Sequence, residues 1–171
     1  MAYRQTAFAT PDVHQVDLAA VTDVATMLTR TRFPSVEVVV AVGPLPTVLG
    51  DGDLLLLALQ ELLANAVEFR RHPHVAVIAV SAVITSRNAV LRVADLGIGV
   101  DPAHHDEIFT PLHRVHPDHE HAGDGMGLAI ARAVASAHDG TLVLESSTPE
   151  GSVFRLKWPQ VISLVGGAAT R

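Results

Sequence analysis

The spacing of apolar and polar residues predicts helices interleaved with strands. Apolar residues recur at helical spacing over 22–30, 54–70 and 126–137. Thr22 or Asp23 is the predicted N-cap of the first helix and Asp53 that of the second. β-Branched and alternating runs predict strands over 36–42, 74–84, 89–94, 141–145 and 152–158. Shorter strands are predicted over 16–18 and 47–49, and a short helix over 102–108.

The order of these elements predicts an α+β fold. Helices and antiparallel hairpins alternate, which indicates a two-layer sandwich with a mixed, mostly antiparallel sheet covered by helices on one face. The strands over 74–84 and 89–94 are apolar on both faces, so we expect them at the centre of the sheet. We predict a flexible N-terminus over 1–12, one domain over 13–160 and a C-terminal tail over 161–171.

Composition narrows the classes of function. The chain has 171 residues, is 49% hydrophobic and carries a formal net charge of -6 with dispersed basic residues. This charge argues against nucleic-acid binding, which needs a basic face. Cysteine is absent, which excludes a disulfide framework and thiolate chemistry. Because the longest apolar runs fall far short of the roughly 18 residues of a membrane span, we expect no membrane span and a cytoplasmic protein.

The first candidate site lies on the central helix. Glu61, Asn65 and Glu68 are spaced i, i+4 and i+7, so they project from one narrow stripe, opposite an apolar face. Taken alone, such a stripe is more often an ordinary solvated face. A functional stripe would let Asn65 offer its carboxamide oxygen to Mg²⁺, a cation that takes oxygen ligands. Glu61 would then orient a water or the acceptor group.

The second candidate site follows an apolar strand. Asp95 can accept a hydrogen bond from an exocyclic amine such as that of adenine. Gly97 and Gly99 would let the backbone approach the base closely, because glycine has no Cβ. The ordinary alternative is a strand-to-helix turn with Asp101 as the next cap.

The third candidate site opens the helix that begins near Met126. Gly123, Gly125 and Gly127 alternate just before this helix. Their amides and the helix N-terminus form an anion site suited to phosphates. Neither a Rossmann fingerprint nor a Walker loop is present in the sequence, so these glycines belong to neither class of nucleotide site.

Taken in this order, the three sites resemble the boxes of the catalytic ATP-binding domain of sensor histidine kinases, in the superfamily with the Bergerat ATP-binding fold. The likeness runs over about 16–159, with an asparagine box at 62–67, a first glycine box at 95–99 and a second at 125–130. A phenylalanine box matches 108–115, and the closing strand matches 151–159. The run 112–116 is also similar to that of phytochrome-like kinases.

The resemblance implies a role for each matched residue. Asn65 would bind Mg²⁺, Glu61 would assist phosphoryl transfer to a histidine, and Asp95 would recognise the adenine of ATP with Phe69 packing nearby. Arg114 would reach the terminal phosphate from the lid of the site. The resemblance further assigns to the nucleotide site Gly97, Gly99, Ile108, Gly123, Gly125, Met126, Gly127 and Leu128. Its partners would be a helical dimerisation and phosphoacceptor domain, which this sequence does not match, and a response regulator.

Two positions depart from the family pattern. Glu68 stands where the family often has lysine, and Asp124 stands where threonine or serine is more common. A carboxylate beside a triphosphate is unfavourable. Arg70 or Arg71 is the cation that the sequence offers nearby as compensation.

Three other interpretations follow from the same residues. Glu68 and Asp124 are compatible with a degenerate nucleotide-binding or docking module of this fold. The run Asn-Ala-Val-Glu also occurs in anti-sigma-factor-type serine kinases. His113, His116, His119 and His121 could bind a metal ion, although solvent-exposed lid histidines are the simpler interpretation.

Overall fold

The computed structural model describes residues 10–85, 88–112, 125–159 and 161–164. A 3₁₀ turn at Pro102–His104 precedes the third helix. The helices and strands, in chain order, are β1 (His14–Asp17), α1 (Leu18–Arg32), β2 (Glu37–Val42), β3 (Pro46–Gly50), α2 (Gly52–Glu68), β4 (Val75–Ile84), β5 (Asn88–Asp95), α3 (Gly127–Ala137), β6 (Thr141–Thr148), β7 (Gly151–Pro159) and β8 (Val161–Leu164).

The main sheet has five strands in the order β2-β4-β5-β7-β6. The pair β2 and β4 is parallel, and the other pairs are antiparallel. This arrangement confirms the predicted mixed, mostly antiparallel sheet. It also confirms that the strands over 74–84 and 89–94 lie inside the sheet, because β4 and β5 each have a neighbour on both sides.

A second, smaller sheet in the order β1-β3-β8 was not predicted. The strand β8 lies inside the segment that the sequence assigns to a tail, and it pairs antiparallel with β3. A four-residue run has too few positions to show a strand period. Its strand conformation depends on pairing with β3, more than 100 residues earlier in the chain, which local sequence does not reveal.

Both observed helix caps lie earlier in the chain than the predicted ones. Asp17 caps α1 by accepting from the Ala19 N–H, so α1 begins before Thr22. Asp51 caps α2 by accepting from the N–H groups of Asp53 and Leu54. Both acidic residues of the run Asp51-Gly-Asp53 suit a cap, and only the tertiary path of the chain selects the first. The short helix predicted over 102–108 is a 3₁₀ turn followed by further turns.

The core lies between the helices and one face of the main sheet. On β4, Ala76, Ile78 and Val80 are buried and alternate with exposed residues. The apolar face of α2 packs against this layer, with α1 and α3 on either side of the helix. Among the described residues, no helix combines the length and apolar character that a membrane span requires.

A histidine joins the end of α3 to the start of α2. The N–H of Asp51 donates to Nε2 of His138 at 3.0 Å, so the proton of this buried ring lies on Nδ1, which donates to the carbonyl of Val134 at 2.9 Å. The ring also packs against Trp158 in a tilted arrangement, with ring centroids 4.4 Å apart. Trp158 in turn donates to the carbonyl of Leu49 at 2.9 Å. These contacts fix where the central helix begins.

We expect His138→Ala to lower the free energy of unfolding by about 2–4 kcal/mol, because it leaves a cavity and a backbone N–H without its acceptor. Urea unfolding followed by circular dichroism measures this change. Ser136→Ala, at an exposed position of the same helix, is the control and should change stability by less than about 0.5 kcal/mol. Equal effects of the two substitutions on stability would contradict a stabilising role for the contacts of His138.

Candidate active site

The polar stripe of α2 lies on the surface of the helix that the core leaves open. Glu61, Asn65 and Glu68 are each partly buried, whereas Leu59 and Leu62 on the other side are fully buried. This confirms the predicted two-sided helix. Burial of the leucines sets the rotation of α2, so the position of the three polar residues follows from core packing.

Glu61 contacts the beginning of α3. A Cβ placed on Gly127 would lie 2.6 Å from Oε2 of Glu61. The absence of a side chain at Gly127 therefore permits the two helices to approach here. The helix that carries the asparagine box therefore meets the second glycine box at this contact.

The Asn65 side chain lies one turn further along α2. Its carboxamide makes no hydrogen bond to any residue within the described ranges. The group is half-buried, and burying an amide without a partner is costly. Its oxygen is thus available to an added ligand, and an oxygen donor is what a hard cation requires.

Glu68 forms an ion pair with α1. Nη2 of Arg32 lies 3.1 Å from Oε1 of Glu68, and the Glu68 side chain is 12% exposed. The cation that pairs with Glu68 here is Arg32, 36 residues earlier in the chain, whereas the sequence offers Arg70 or Arg71 as compensation. Arg70 donates to the carbonyls of Val67 and Pro73, and Arg71 donates to the carbonyl of Gly97.

Asp95 ends β5, and one of its carboxylate oxygens accepts from two backbone N–H groups. Its Oδ1 accepts from Gly97 N at 2.8 Å and from Ser152 N at 3.2 Å. Burial raises the pKa of the Asp95 carboxyl above 3.8, and these two hydrogen bonds oppose the rise. The second oxygen, Oδ2, makes no hydrogen bond to the part of the chain that the structure describes. It can accept from a ligand.

The first glycine box packs tightly against the end of α2. The carbonyl of Phe69 accepts from Ile98 N at 3.0 Å. A Cβ on Gly97 would lie only 2.6 Å from the same carbonyl oxygen, so a side chain cannot be accommodated there. Gly99 has φ +76, a conformation that favours glycine. The backbone of Phe69 at the end of α2 therefore lies against the segment that carries Asp95, Gly97 and Gly99.

The second glycine box opens α3. Gly125 has φ +75, and Met126 occupies the N-cap without a side-chain cap. The first N–H groups of α3 are therefore not satisfied by a capping side chain, and they make an anion site with the helix dipole. Leu128 packs against the core.

Of the remaining predicted site residues, one lies in the core and the others fall outside the described ranges. Ile108 is buried in the core beside Phe109. Arg114, Gly123, Asp124 and the four lid histidines fall within 113–124, outside the described residues. Within the described ranges, no group of His, Asp and Glu is arranged to hold a metal ion.

A comparison with protein-family models shows which family the chain belongs to. A model described as histidine kinase-, DNA gyrase B- and HSP90-like ATPase matches residues 50–162. The chain belongs to this family. The match begins at the last residue of β3 and ends in β8, so it contains all three boxes of the sequence.

Similar proteins place the domain in the histidine-kinase branch. Cyanobacterial phytochrome A of Nostoc is 35% identical over 130 residues, covering 76% of this chain. The structure of the mycobacterial sensor histidine kinase MprB is 27% identical with a TM-score of 0.72, covering 86% of this chain and 97% of that one. The full-length ShkA structure, a complex with AMPPNP, is 25% identical with a TM-score of 0.76, covering 94% of this chain and 33% of that one.

The domain is thus an ATP-binding catalytic domain of the sensor histidine kinase type, as the boxes predict. These comparisons give no support to a degenerate module or a serine kinase of the anti-sigma type. The chain spans only 17% of the length of the phytochrome. The acceptor and partners of the phosphoryl transfer are therefore proposals for this chain.

Sequence reasoning missed the residues that hold this ATPase-family site together from a distance. Ser152 donates its N–H to Asp95, and Arg32 pairs with Glu68, across 57 and 36 residues respectively. Gly151 has φ +143, and a Cβ there would lie 2.0 Å from the carbonyl oxygen of Asp95. The pair Gly151-Ser152 after a turn was the one local signal, because a glycine next to a strand indicates close backbone approach.

The raised pKa of Asp95 predicts a defined pH dependence of stability. The folded state binds the proton more tightly than the unfolded state, so the free energy of unfolding falls as pH rises from 3.8 to the folded-state pKa. Asp95→Asn keeps an oxygen for Gly97 and Ser152 but cannot ionise. We therefore expect the variant to be more stable than the parent above this window.

Urea unfolding between pH 3 and pH 8 measures the difference between Asp95→Asn and the parent. The difference should vanish at the acidic end and reach a plateau at the neutral end. Asp106→Asn, at an exposed position, serves as the control. Parallel pH curves for Asp95→Asn and the parent would contradict the raised pKa.

Proposed function

We propose that the domain binds Mg-ATP and donates the γ-phosphate to a histidine on a helical dimerisation and phosphoacceptor domain, from which a response regulator receives it. The observation that carries the proposal is the meeting of three groups around one region: the stripe of α2, the uncapped start of α3 and the Asp95 carboxylate. Their chemistry matches magnesium, phosphate and an amino-purine, in that order.

Asp95 supports recognition of the base. With Oδ1 held by Gly97 and Ser152, Oδ2 is the oxygen that can accept from the exocyclic amine of adenine. Guanine presents a carbonyl at that position, and two acceptors would face each other. Gly97 and Gly99 would let the backbone lie close to the base. Phe69 is the C-cap of α2 and lies beside Gly97.

Asn65 supports a magnesium site. Its half-buried carboxamide makes no hydrogen bond within the described residues, so its oxygen fits a hard cation. Asn65 would help to hold Mg²⁺ beside the nucleotide, where the cation would supply positive charge against the negative charge of the phosphates. Glu61 would orient a water of the cation or the acceptor imidazole from one turn earlier.

The start of α3 supports binding of the phosphates. The N–H groups at Gly127 and Leu128 belong to the first turn of a helix that has no side-chain cap. Such groups bind phosphate through hydrogen bonds and the positive end of the helix dipole. Because Gly127 also contacts Glu61, the phosphates would lie beside the stripe of α2.

Transfer would depend on positioning and charge neutralisation. The bond between the γ-phosphorus and the oxygen bridging it to the β-phosphate breaks as a bond to an acceptor imidazole nitrogen forms, and ADP leaves. Arg114 would stabilise the terminal phosphate, as the resemblance implies. The names of the similar proteins support this scheme: MprB is a sensor histidine kinase, and ShkA was solved with AMPPNP.

Calorimetric titration of the purified chain with AMPPNP, with and without Mg²⁺, tests the site. We expect Mg²⁺-dependent binding that Asn65→Ala weakens by about tenfold or more, since a lost contact to a charged group costs about 1.5–3 kcal/mol. Asn88→Ala, at the chain's other asparagine, is the matched control and should bind as the parent does. Failure of the parent to bind at millimolar AMPPNP would refute the proposal.

Transfer is measured with the same proteins. Radiolabelled ATP is mixed with each of them and a separately purified helical phosphoacceptor domain of a related sensor kinase. We expect acid-labile, base-stable label on that domain with the parent and with Asn88→Ala, and little label with Asn65→Ala. Binding without transfer to any histidine would restrict the proposal to nucleotide binding.

The ion pair between Arg32 and Glu68 predicts a compensated double variant. Arg32→Ala leaves a partly buried carboxylate without this cation on the stripe that carries Asn65, so we expect about three- to tenfold weaker binding of Mg-AMPPNP. Glu68→Gln in the same chain removes that carboxylate and should restore most of the affinity. Equal losses in the single and double variants would show that Arg32 acts independently of Glu68.

A further inference from the structure

The segment from Asp95 to Val100 is held by the hairpin of β6 and β7, at the end where the two strands join. A Cβ on Gly99 would lie 2.0 Å from the carbonyl oxygen of Thr148, and one on Gly151 would lie 2.0 Å from the carbonyl oxygen of Asp95. Both ends of the segment therefore contact the same hairpin. The hairpin therefore fixes the position of the residues that would contact the base.

Two serine side chains of this hairpin connect the ends of the segment by hydrogen bonds. Val100 N donates to Oγ of Ser147 at 2.8 Å. Oγ of Ser147 lies 2.9 Å from Oγ of Ser152. Ser152 N donates to Oδ1 of Asp95 at 3.2 Å. The path Val100–Ser147–Ser152–Asp95 closes a ring around the first glycine box.

Ser147 has the central place in this ring. Ser152 is buried, with 5% of its surface exposed, so its hydroxyl depends on protein partners. Without the Ser147 hydroxyl, the N–H of Val100 loses its acceptor and Oγ of Ser152 loses its neighbour. Partly buried groups left unpaired in this way favour a rearrangement that satisfies them.

We propose that Ser147 is a positioning residue of the nucleotide site: its hydroxyl sets the distance between the Gly99–Val100 turn and Ser152, and thereby the orientation of the Asp95 carboxylate. The inference rests on the proposed binding of an adenine nucleotide. Ser147 itself touches neither the base nor the phosphates in this scheme.

The chemical consequence concerns the base. With the Ser152 N–H in place, Oδ1 of Asp95 is occupied and Oδ2 is the oxygen left to accept from an exocyclic amine. When the Ser152 N–H moves, the Asp95 carboxylate can rotate, and the exocyclic amine of the base loses its acceptor. The phosphates, which would be bound at the other end of the site by α3, are unaffected. Loss of Ser147 should therefore weaken all adenine nucleotides by the same factor.

The test compares three variants of adjacent serines. Ser147→Ala removes the hydroxyl, and Ser147→Thr keeps it. Ser146→Ala changes the exposed neighbour on the same strand and is the matched control. Titration with Mg-AMPPNP and with Mg-ADP should show affinity about three- to tenfold weaker for Ser147→Ala with both ligands. Ser147→Thr and Ser146→Ala should bind within about twofold of the parent.

A second measurement separates positioning from mere stability. The pKa of the Asp95 carboxyl, followed by NMR of its side-chain carbon in the absence of nucleotide, should rise in Ser147→Ala, because the Ser152 N–H bond that lowers this pKa is weakened. It should stay at the parent value in Ser146→Ala and Ser147→Thr. A purely structural role would lower the melting temperature and leave this pKa unchanged.

The outcomes are distinguishable. If the parent binds nucleotide and Ser147→Ala binds equally well, or binds less well with an unchanged Asp95 pKa, the inference is wrong and the nucleotide site stands. If the parent binds no nucleotide, the proposed function fails. The NMR titration then still decides whether Ser147 orients Asp95.

Discussion

Burial of one face of α2 is the constraint on which the rest of the structure depends. Its leucines lie in the core, and each fully buried leucine side chain contributes about 1.5–3 kcal/mol. That burial leaves no freedom for the helix to rotate. Glu61, Asn65 and Glu68 are therefore fixed on the open side, between α1 and α3. The hydrogen bond from Asp51 N–H to His138 sets where α2 starts, and therefore where the three polar residues lie along the helix axis.

The site built around α2 uses backbone more than side chains. Asp95 is oriented by two N–H groups, and the start of α3 offers further N–H groups to an anion. Backbone groups bind at short range only where no Cβ intervenes. This explains why Gly97, Gly127 and Gly151 occupy the points of closest approach. The glycines are thus required by packing between segments as much as by contact with a ligand.

The site has to overcome the repulsion between a negatively charged chain and negatively charged phosphates. The chain carries a formal net charge of -6, and an ATP domain must bind phosphates. The uncapped amides of α3 attract an anion without adding a formal charge. The pairing of Glu68 with Arg32 offsets a carboxylate on the stripe that would otherwise repel phosphate. Glu68, a departure from the family pattern, is in this way compatible with the site.

The sequence by itself determined the features that depend on a long periodic run or on a local glycine pattern. Helical spacing identifies α2 and its two faces, β-branched runs identify β4 and β5, and the glycine boxes identify the segments of the site. These signals arise from residues within one turn or one strand of each other. They do not need the rest of the chain.

Only the tertiary structure decided which distant groups meet. Ser152 reaches Asp95 across 57 residues, Arg32 reaches Glu68 across 36, and β8 becomes a strand by pairing with β3. The choice of Asp51 over Asp53 as a cap has the same origin, since His138 accepts from the Asp51 N–H. Each of these contacts depends on how elements pack, and the chain separation between the partners removes any local signal of the pairing.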